Sequence, residues 1–307
     1  MITGLGYSGW DYIGLVPYIP HDDKVRIEKS REQGGGPAAT AIVAAARLGV
    51  KTAFIGICGD DDRGDMIVRE LKKERVTTAG VIRHRGAMSP AAFCWVEQKT
   101  GKRSVAWTLG TVRPLRTGDV DVSLIHRSTI LHLDGHHIDA AIHAAKIARK
   151  AGVTVSIDAG TMVAGIDSLL PLCDIIIASE AFAERYCGQK DPTRAIGKLL
   201  KLKPRICAVT LGSRGVLWCE NGVYGRQASF SVPVVDTTGA GDVFHGAFAA
   251  SIAKKMSTAE GMRFAAATAA LKCRALGGRT GIPTDSMVMK YLNTGLKPRA
   301  ARKKSNA

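Results

Sequence analysis

Short, nearly continuous apolar runs alternate with stretches of helical period along most of the chain. The runs are Ala53–Cys58, Ile130–Leu133, Val153–Ile157, Asp174–Ala178 and Ile206–Thr210, and between them lie the amphipathic or small-residue stretches Pro37–Leu48, Gly64–Glu74, Asp139–Lys150 and Thr193–Leu202. Strands buried on both faces lose the usual apolar–polar alternation, so this pattern predicts βαβ units: an α/β fold with a central, mostly parallel sheet flanked by helices. The C-terminal part turns helical, with the alanine-rich stretches Ala240–Lys254 and Thr258–Leu276 suited to close helix packing.

Two regions break this rhythm. Residues 11–33 and 85–108 are more polar and strand-like, notably at Ala92–Glu97 and Arg103–Thr108, with Lys99-Thr100-Gly101-Lys102 as a hairpin turn between the two. They are expected to form a small separate β-sheet, a lid over the mouth of one main domain spanning residues 1–296.

Composition narrows the function classes. The 307 residues can bury a sizeable core, and no run of about 20 apolar residues is present to cross a membrane. Met1 to Gly9 lacks a basic stretch followed by an apolar one, so no secretory leader is expected. Seven scattered cysteines without a Cys-x-x-Cys pair suggest neither zinc nor a disulfide framework, and point to a reducing cytoplasm. The net charge is +16, with Lys297, Arg299, Arg302, Lys303 and Lys304 concentrated in a tail, 297–307, that is expected to be disordered. The remaining basic charge suits a polyanionic small molecule, and no recognition motif accompanies it, so specific nucleic-acid binding is not expected.

The strongest chemical signal is Asp236-Thr237-Thr238-Gly239-Ala240-Gly241-Asp242-Val243-Phe244, which follows the strand-like Ser231–Val235 and opens an alanine-rich helix. Two glycines allow a tight turn, the helix start offers amides to an anion, and Asp242 sets a carboxylate beside them. That arrangement suits removal of a proton from a hydroxyl that attacks a phosphoryl group. A glycine turn with an acidic helix start is common, and it is the order of nine residues that distinguishes this one. A second segment, Gly34-Gly35-Gly36-Pro37-Ala38-Ala39-Thr40, leads into a helix, and consecutive glycines would let a substrate lie against backbone. A third, Gly6-Tyr7-Ser8-Gly9-Trp10-Asp11, ends in a carboxylate able to accept two hydroxyls of a diol. A fourth, Val209-Thr210-Leu211-Gly212-Ser213-Arg214-Gly215, turns sharply after a core strand.

Taken together, these segments resemble the ribokinase-like (PfkB) carbohydrate kinases over nearly the whole chain, with the closest likeness to the sulfofructose kinases and ketohexokinase-like members. The resemblance implies a ribokinase-like fold and transfer of the ATP γ-phosphate to a hydroxyl of a small sugar. Asp242 would be the base, with Gly239, Ala240 and Gly241 forming the anion hole. It implies sugar contacts at Asp11, Lys24, Gly35, Gly36, Thr40 and His136, with threonine at position 40 where many members carry asparagine. ATP contacts are implied at Thr210, Gly212, Ser213, Gly215, Gly239 and Gly241, with Ala266–Leu276 and Gly277-Gly278 on the adenine side. Mg²⁺ with the ATP is implied too, as is K⁺ at Asp236 and Thr238. The family's Asn-x-x-Glu motif for Mg²⁺ is replaced by Ser179 and Phe182, leaving Glu180 or Glu184 as substitutes, or the ATP phosphates alone. Lys24 matches a sulfonate-binding lysine of the sulfofructose kinases, but His136 stands where their arginine would be, and the Trp107–Thr108 region lacks their asparagine. A homodimer paired through the lid strands is the expected assembly. Two alternatives stay open: a nucleoside kinase of the same fold, and a non-catalytic sugar or nucleotide sensor. The histidines around Asp134 (His132, His136, His137, His143) lack a zinc spacing, and His136 and His137 are expected to face the substrate cleft.

Overall fold

The computed structural model describes residues 1–294, and the basic tail expected at 297–307 lies outside them. In chain order the strands are β1 (Ile2–Leu5), β2 (Gly9–Val16), β3 (Lys29–Gly35), β4 (Thr52–Gly59), β5 (Val76–His84), β6 (Ala91–Glu97), β7 (Arg103–Thr108), β8 (Ile130–Leu133), β9 (Thr154–Ala159), β10 (Ile175–Ser179), β11 (Ile206–Thr210), β12 (Val216–Glu220) and β13 (Val223–Gln227). Nine of them form one sheet in the order β13-β12-β11-β10-β9-β8-β1-β4-β5. Seven run parallel, and the β12–β13 hairpin closes one edge antiparallel. The other four make a separate sheet, β3-β2-β6-β7.

The central strands read as unbroken apolar runs because both faces are covered. Ile175 and Ile177 of β10 enter the core beneath the helices Pro37–Arg47, Ala240–Ala253 and Thr258–Lys272. Their neighbours Ile176 and Ala178 enter the core beneath Ile138–Lys150 and Pro192–Leu199. The alanine-rich helices exist for close approach. A Cβ at Gly246 would stand 2.0 Å from the Ala41 carbonyl oxygen, so helix Ala240–Ala253 lies almost backbone to backbone on helix Pro37–Arg47. This brings the two glycine-rich helix starts to the same end of the sheet.

Two expectations are corrected. Ser231–Val235 is not a strand: Pro233 has no N–H to give a ladder, and the amides of Val235 and Asp236 both donate to the Cys273 carbonyl instead, at 2.8 and 3.2 Å. The last long helix stops at Lys272 rather than Leu276, and the chain then turns through Gly277, with φ 105°. The β12–β13 hairpin was not anticipated, although its two-residue turn, Asn221-Gly222, with φ of 49° and 84°, carries the usual signal. Strands β1 and β5 were missed too. β1 is only four residues long, and β5 presents several half-buried or exposed positions.

A buried arginine ties the C-terminal turn to the N-terminal glycines. Arg279 is 2% exposed; its Nη2 donates to the Gly35 carbonyl at 2.9 Å, its Nε to Thr40 Oγ1 at 3.2 Å, and its Nη1 to Glu70 Oε1 at 3.3 Å. A Cβ at Gly34 would lie 2.2 Å from the guanidinium, so that glycine makes room for it. Removing one partner of a buried pair leaves the others desolvated and unpaired. Arg279→Ala is therefore expected to lower the unfolding free energy by about 3 kcal/mol, read from urea denaturation.

Candidate active site

The parallel strands deliver their C-terminal ends to a single cavity of about 450 Å³. Tyr7 follows β1, Asp134 and His136 follow β8, Asp158 and Gly160 lie at the end of β9, and Ser179 and Thr210 end β10 and β11; all border this cavity. Open parallel sheets place ligands at this edge. The small sheet supplies the opposite wall through Asp11, Ala92, Cys94, Arg103, Val105 and Trp107. A second cavity of about 470 Å³ is lined by Gly212, Ser213, Gly215, Phe230, Phe244, Ala266, Ala269 and Ala270 among others, an apolar slot beside a polar turn. Arg103, Thr210 and Gly241 border both cavities, which therefore meet at the start of helix Ala240–Ala253.

Gly239 caps that helix in the left-handed region (φ 72°), where a side chain would be strained and its Cβ would press on Gly278 at 3.0 Å. The amides of Gly239, Gly241 and Asp242 have no hydrogen-bond partner among the described residues, whereas the amide of Ala240 donates to the Thr237 carbonyl at 3.2 Å. An anion at this helix start thus meets the amides of 239, 241 and 242, and Ala240 drops out of the expected set. Asp242 stands beside them. Its pKa is pushed up to about 6, first by burial and then by the Asp158 charge, with Arg103 and His245 pulling the other way.

Asp11 borders the sugar-sized cavity, and burial raises its pKa to about 7 despite Arg279. Asp134, fully hidden beneath, accepts from the amides of Tyr7 (2.8 Å), Ala38 (3.1 Å) and His136 (3.0 Å), and so fixes three segments of the wall at once. Asp158 lies 3.1 Å from His245 Nε2. Burial pushes the Asp158 carboxyl up, but His245 outweighs that and holds it below the usual range.

Several expected contacts move. Of the glycine run only Gly36 borders the cavity; Gly35 leaves space for the Asp11 carboxylate, 2.1 Å from where its Cβ would be. The glycines therefore accommodate side chains of the protein rather than only a substrate. Thr40 is buried and accepts from Arg279 instead of reaching the cavity. Lys24 is exposed in the loop between β2 and β3 and is not among the lining residues. His136 borders the cavity, its ring 5.2 Å from that of Tyr7. His137 does not: it turns back, and its Nδ1 accepts from the Leu115 amide at 3.3 Å. Glu180 pairs with Arg214 and Glu184 lies 3.8 Å from Lys190, and neither is among the residues that line the cavity.

Where a monovalent cation was expected, at Asp236 and Thr238, a fixed cation already stands, the Lys272 ammonium. The Asp236 carbonyl accepts from Lys272 Nζ at 3.0 Å, and its carboxylate accepts from the amides of Thr238 and Gly277, each at 2.7 Å. Arg103, Asp134, Asp158, Lys272 and Arg279 were not assigned by sequence reasoning; Asp134 alone carried a signal, among the clustered histidines.

Comparison with known proteins agrees with this geometry. The family model of the pfkB family carbohydrate kinases matches residues 5–285. The chain is 28% identical to a ribokinase of Haemophilus influenzae, over 95% of this chain and 98% of the relative. It is 29% identical to fructokinase-1 of Zea mays, over 91% and 95%. Among solved structures, Arabidopsis thaliana ribokinase complexed with ribose and ATP superposes with a TM-score of 0.81 at 27% identity, covering 95% of this chain and 98% of that one. A ribokinase from Thermotoga maritima superposes with a TM-score of 0.83 at 27% identity, covering 95% and 99%. The chain thus belongs to the pfkB family of carbohydrate kinases, phosphotransferases that act on a hydroxyl acceptor.

Proposed function

We propose that the protein transfers the γ-phosphate of ATP to a hydroxyl of a small uncharged sugar, with Asp242 as general base. The observation that carries this reading is the junction of two cavities at Gly241, Arg103 and Thr210, under a helix start whose amides at 239, 241 and 242 have no partner among the described residues. The sugar occupies the first cavity, with hydroxyls on Asp11 and its carbon face against Tyr7 and Trp107. ATP occupies the second, with its base in the slot formed by Ala266, Ala269 and Ala270 and its phosphates along Gly212, Ser213 and Gly215. Asp242 accepts the hydroxyl proton as the oxygen bonds to the γ-phosphorus and ADP leaves. The three amides and Arg103 meet the charge on the transferring group.

The charge of the cavity argues for a neutral substrate. Asp11, Asp134, Asp158 and Asp242 border it with Arg103, which also borders the second cavity, and Lys24, the further cation that an anionic sugar would need, is exposed and not among the lining residues. Mg²⁺ arrives with ATP as part of the substrate, held chiefly by the phosphates. Residues 1–296 act as one kinase domain in which the small sheet closes as a lid and keeps water from the γ-phosphate. All six residues of β7 are exposed and its outer edge is unpaired among the described residues, which supports a homodimer formed through this sheet. The seven cysteines are free and buried, in keeping with a cytoplasmic setting.

Asp242→Asn should lower kcat by roughly 10³-fold while leaving the melting temperature unchanged or higher, because it removes a buried charge rather than a contact. An active variant would remove Asp242 from the mechanism. In the wild type, kcat/KM should fall by about tenfold per pH unit below a midpoint near 6, since a raised carboxyl pKa means that lowering the pH through it protonates the base. Asp11→Asn should keep that acid limb and raise the sugar KM by roughly 10- to 100-fold, the worth of a hydrogen bond to a charged group. A coupled ADP-release assay with MgATP against ribose, fructose, sulfofructose and nucleosides names the acceptor. A neutral sugar is expected to lead, and a preference for sulfofructose would overturn the charge argument.

A further inference from the structure

Beneath the anion-binding loop lies a side chain that the mechanism above leaves without a role. Lys272, the last residue of helix Thr258–Lys272, has no solvent exposure at all. Lysine is almost never fully buried unless its charge is balanced. Here the ammonium donates to the Asp236 carbonyl at 3.0 Å, and Asp236 is itself completely buried. The Asp236 carboxylate holds the amides of Thr238 and Gly277, while the amides of Val235 and Asp236 bond the Cys273 carbonyl next to Lys272. The segment from Val235 to Gly239 is therefore clamped to the end of one helix and to the following turn, directly before the residues that offer their amides to a phosphate. Burial holds the Lys272 pKa below its ordinary value, and the Asp236 charge is the largest influence opposing it.

This is the place where the sequence resemblance implies a monovalent cation, and a fixed cation already stands there. Each Asp236 oxygen already accepts a hydrogen bond, the carbonyl from the ammonium and the two carboxylate oxygens from amides, while Thr238 Oγ1 has no partner among the described residues. A second cation would also face the fixed positive charge of Lys272 in a medium that screens poorly. We propose that Lys272 is a positioning residue whose ammonium permanently takes the place of a monovalent cation, so that this kinase holds its anion-binding loop in order without K⁺ or Na⁺. The inference rests on the reading of Gly239–Asp242 as the phosphoryl-transfer loop.

The test compares cations at constant ionic strength: KCl, NaCl and NH₄Cl against choline chloride. Wild-type turnover is expected to be the same in all four, and a rise specific to K⁺ or Na⁺ would overturn the proposal. Lys272→Ala leaves a cavity next to the Asp236 carbonyl. In choline its kcat should fall by roughly 10²-fold, the effect of a small misplacement of reacting groups, and K⁺ or NH₄⁺ should restore much of it. Lys272→Met removes the charge but keeps the space filled, so it should lose activity without rescue; Lys272→Met at full activity in choline would overturn the role of the charge. Melting curves of ligand-free protein need no turnover: KCl should raise the melting temperature of Lys272→Ala over that in choline and leave the wild type unmoved. Equal melting in both salts for the alanine variant counts against the site, even if no sugar proves to be a substrate. Should the alanine variant fail to fold, the wild-type cation series still decides.

Discussion

The first amides of an α-helix have no acceptor within the helix, and when the helix begins at the floor of a cavity they remain for a ligand. At Gly239, Gly241 and Asp242 this constraint organises the molecule. The amides point usefully only if the helix start is fixed from outside. Gly239 in its left-handed conformation turns the chain, the Asp236 carboxylate gathers Thr238 and Gly277, and Gly246 lets the helix press against Ala41 of its neighbour. The neighbouring helix then places Gly36 and Pro37 on the same cavity, and its first turn is held by the Asp134 carboxylate through the Ala38 amide. Local backbone physics creates the binding site, and packing of small residues decides where it lies.

Much of this was legible in the chain and some of it was not, for reasons that differ residue by residue. The buried strands announced themselves because both faces are apolar, and Ile130–Leu133 and Ile206–Thr210 have the bounds that the pattern implied. The loop Asp236–Asp242 was legible because its chemistry is contiguous. The glycine run was recognised but its purpose was not: Gly34 and Gly35 yield to Arg279 and Asp11, partners far away in sequence. Thr40 was misread for the same reason, since its true partner is 239 residues on. Arg103, Asp158 and Lys272 sit in ordinary surroundings along the chain and acquire meaning only when strand ends, the small sheet and a helix terminus converge.

The two joined cavities differ in charge, in keeping with the proposed division into a sugar side and a nucleotide side. The sugar side gathers carboxylates, which accept from hydroxyls and repel a second phosphate-bearing molecule. The nucleotide side offers backbone turns and an alanine slot, without an acidic residue among its lining. On the proposed reading the polyanionic triphosphate reaches only to the point where Gly241 and Arg103 meet both spaces, and Asp242 marks the boundary. Burial and the like charge of Asp158 raise the basicity of Asp242, which makes it a better acceptor for a hydroxyl proton. Arg103 works in the opposite sense, lowering that basicity while it attracts the phosphate. On the proposed mechanism the site balances the two: a carboxylate of raised basicity to take the proton, beside enough positive charge to let a polyanion approach it.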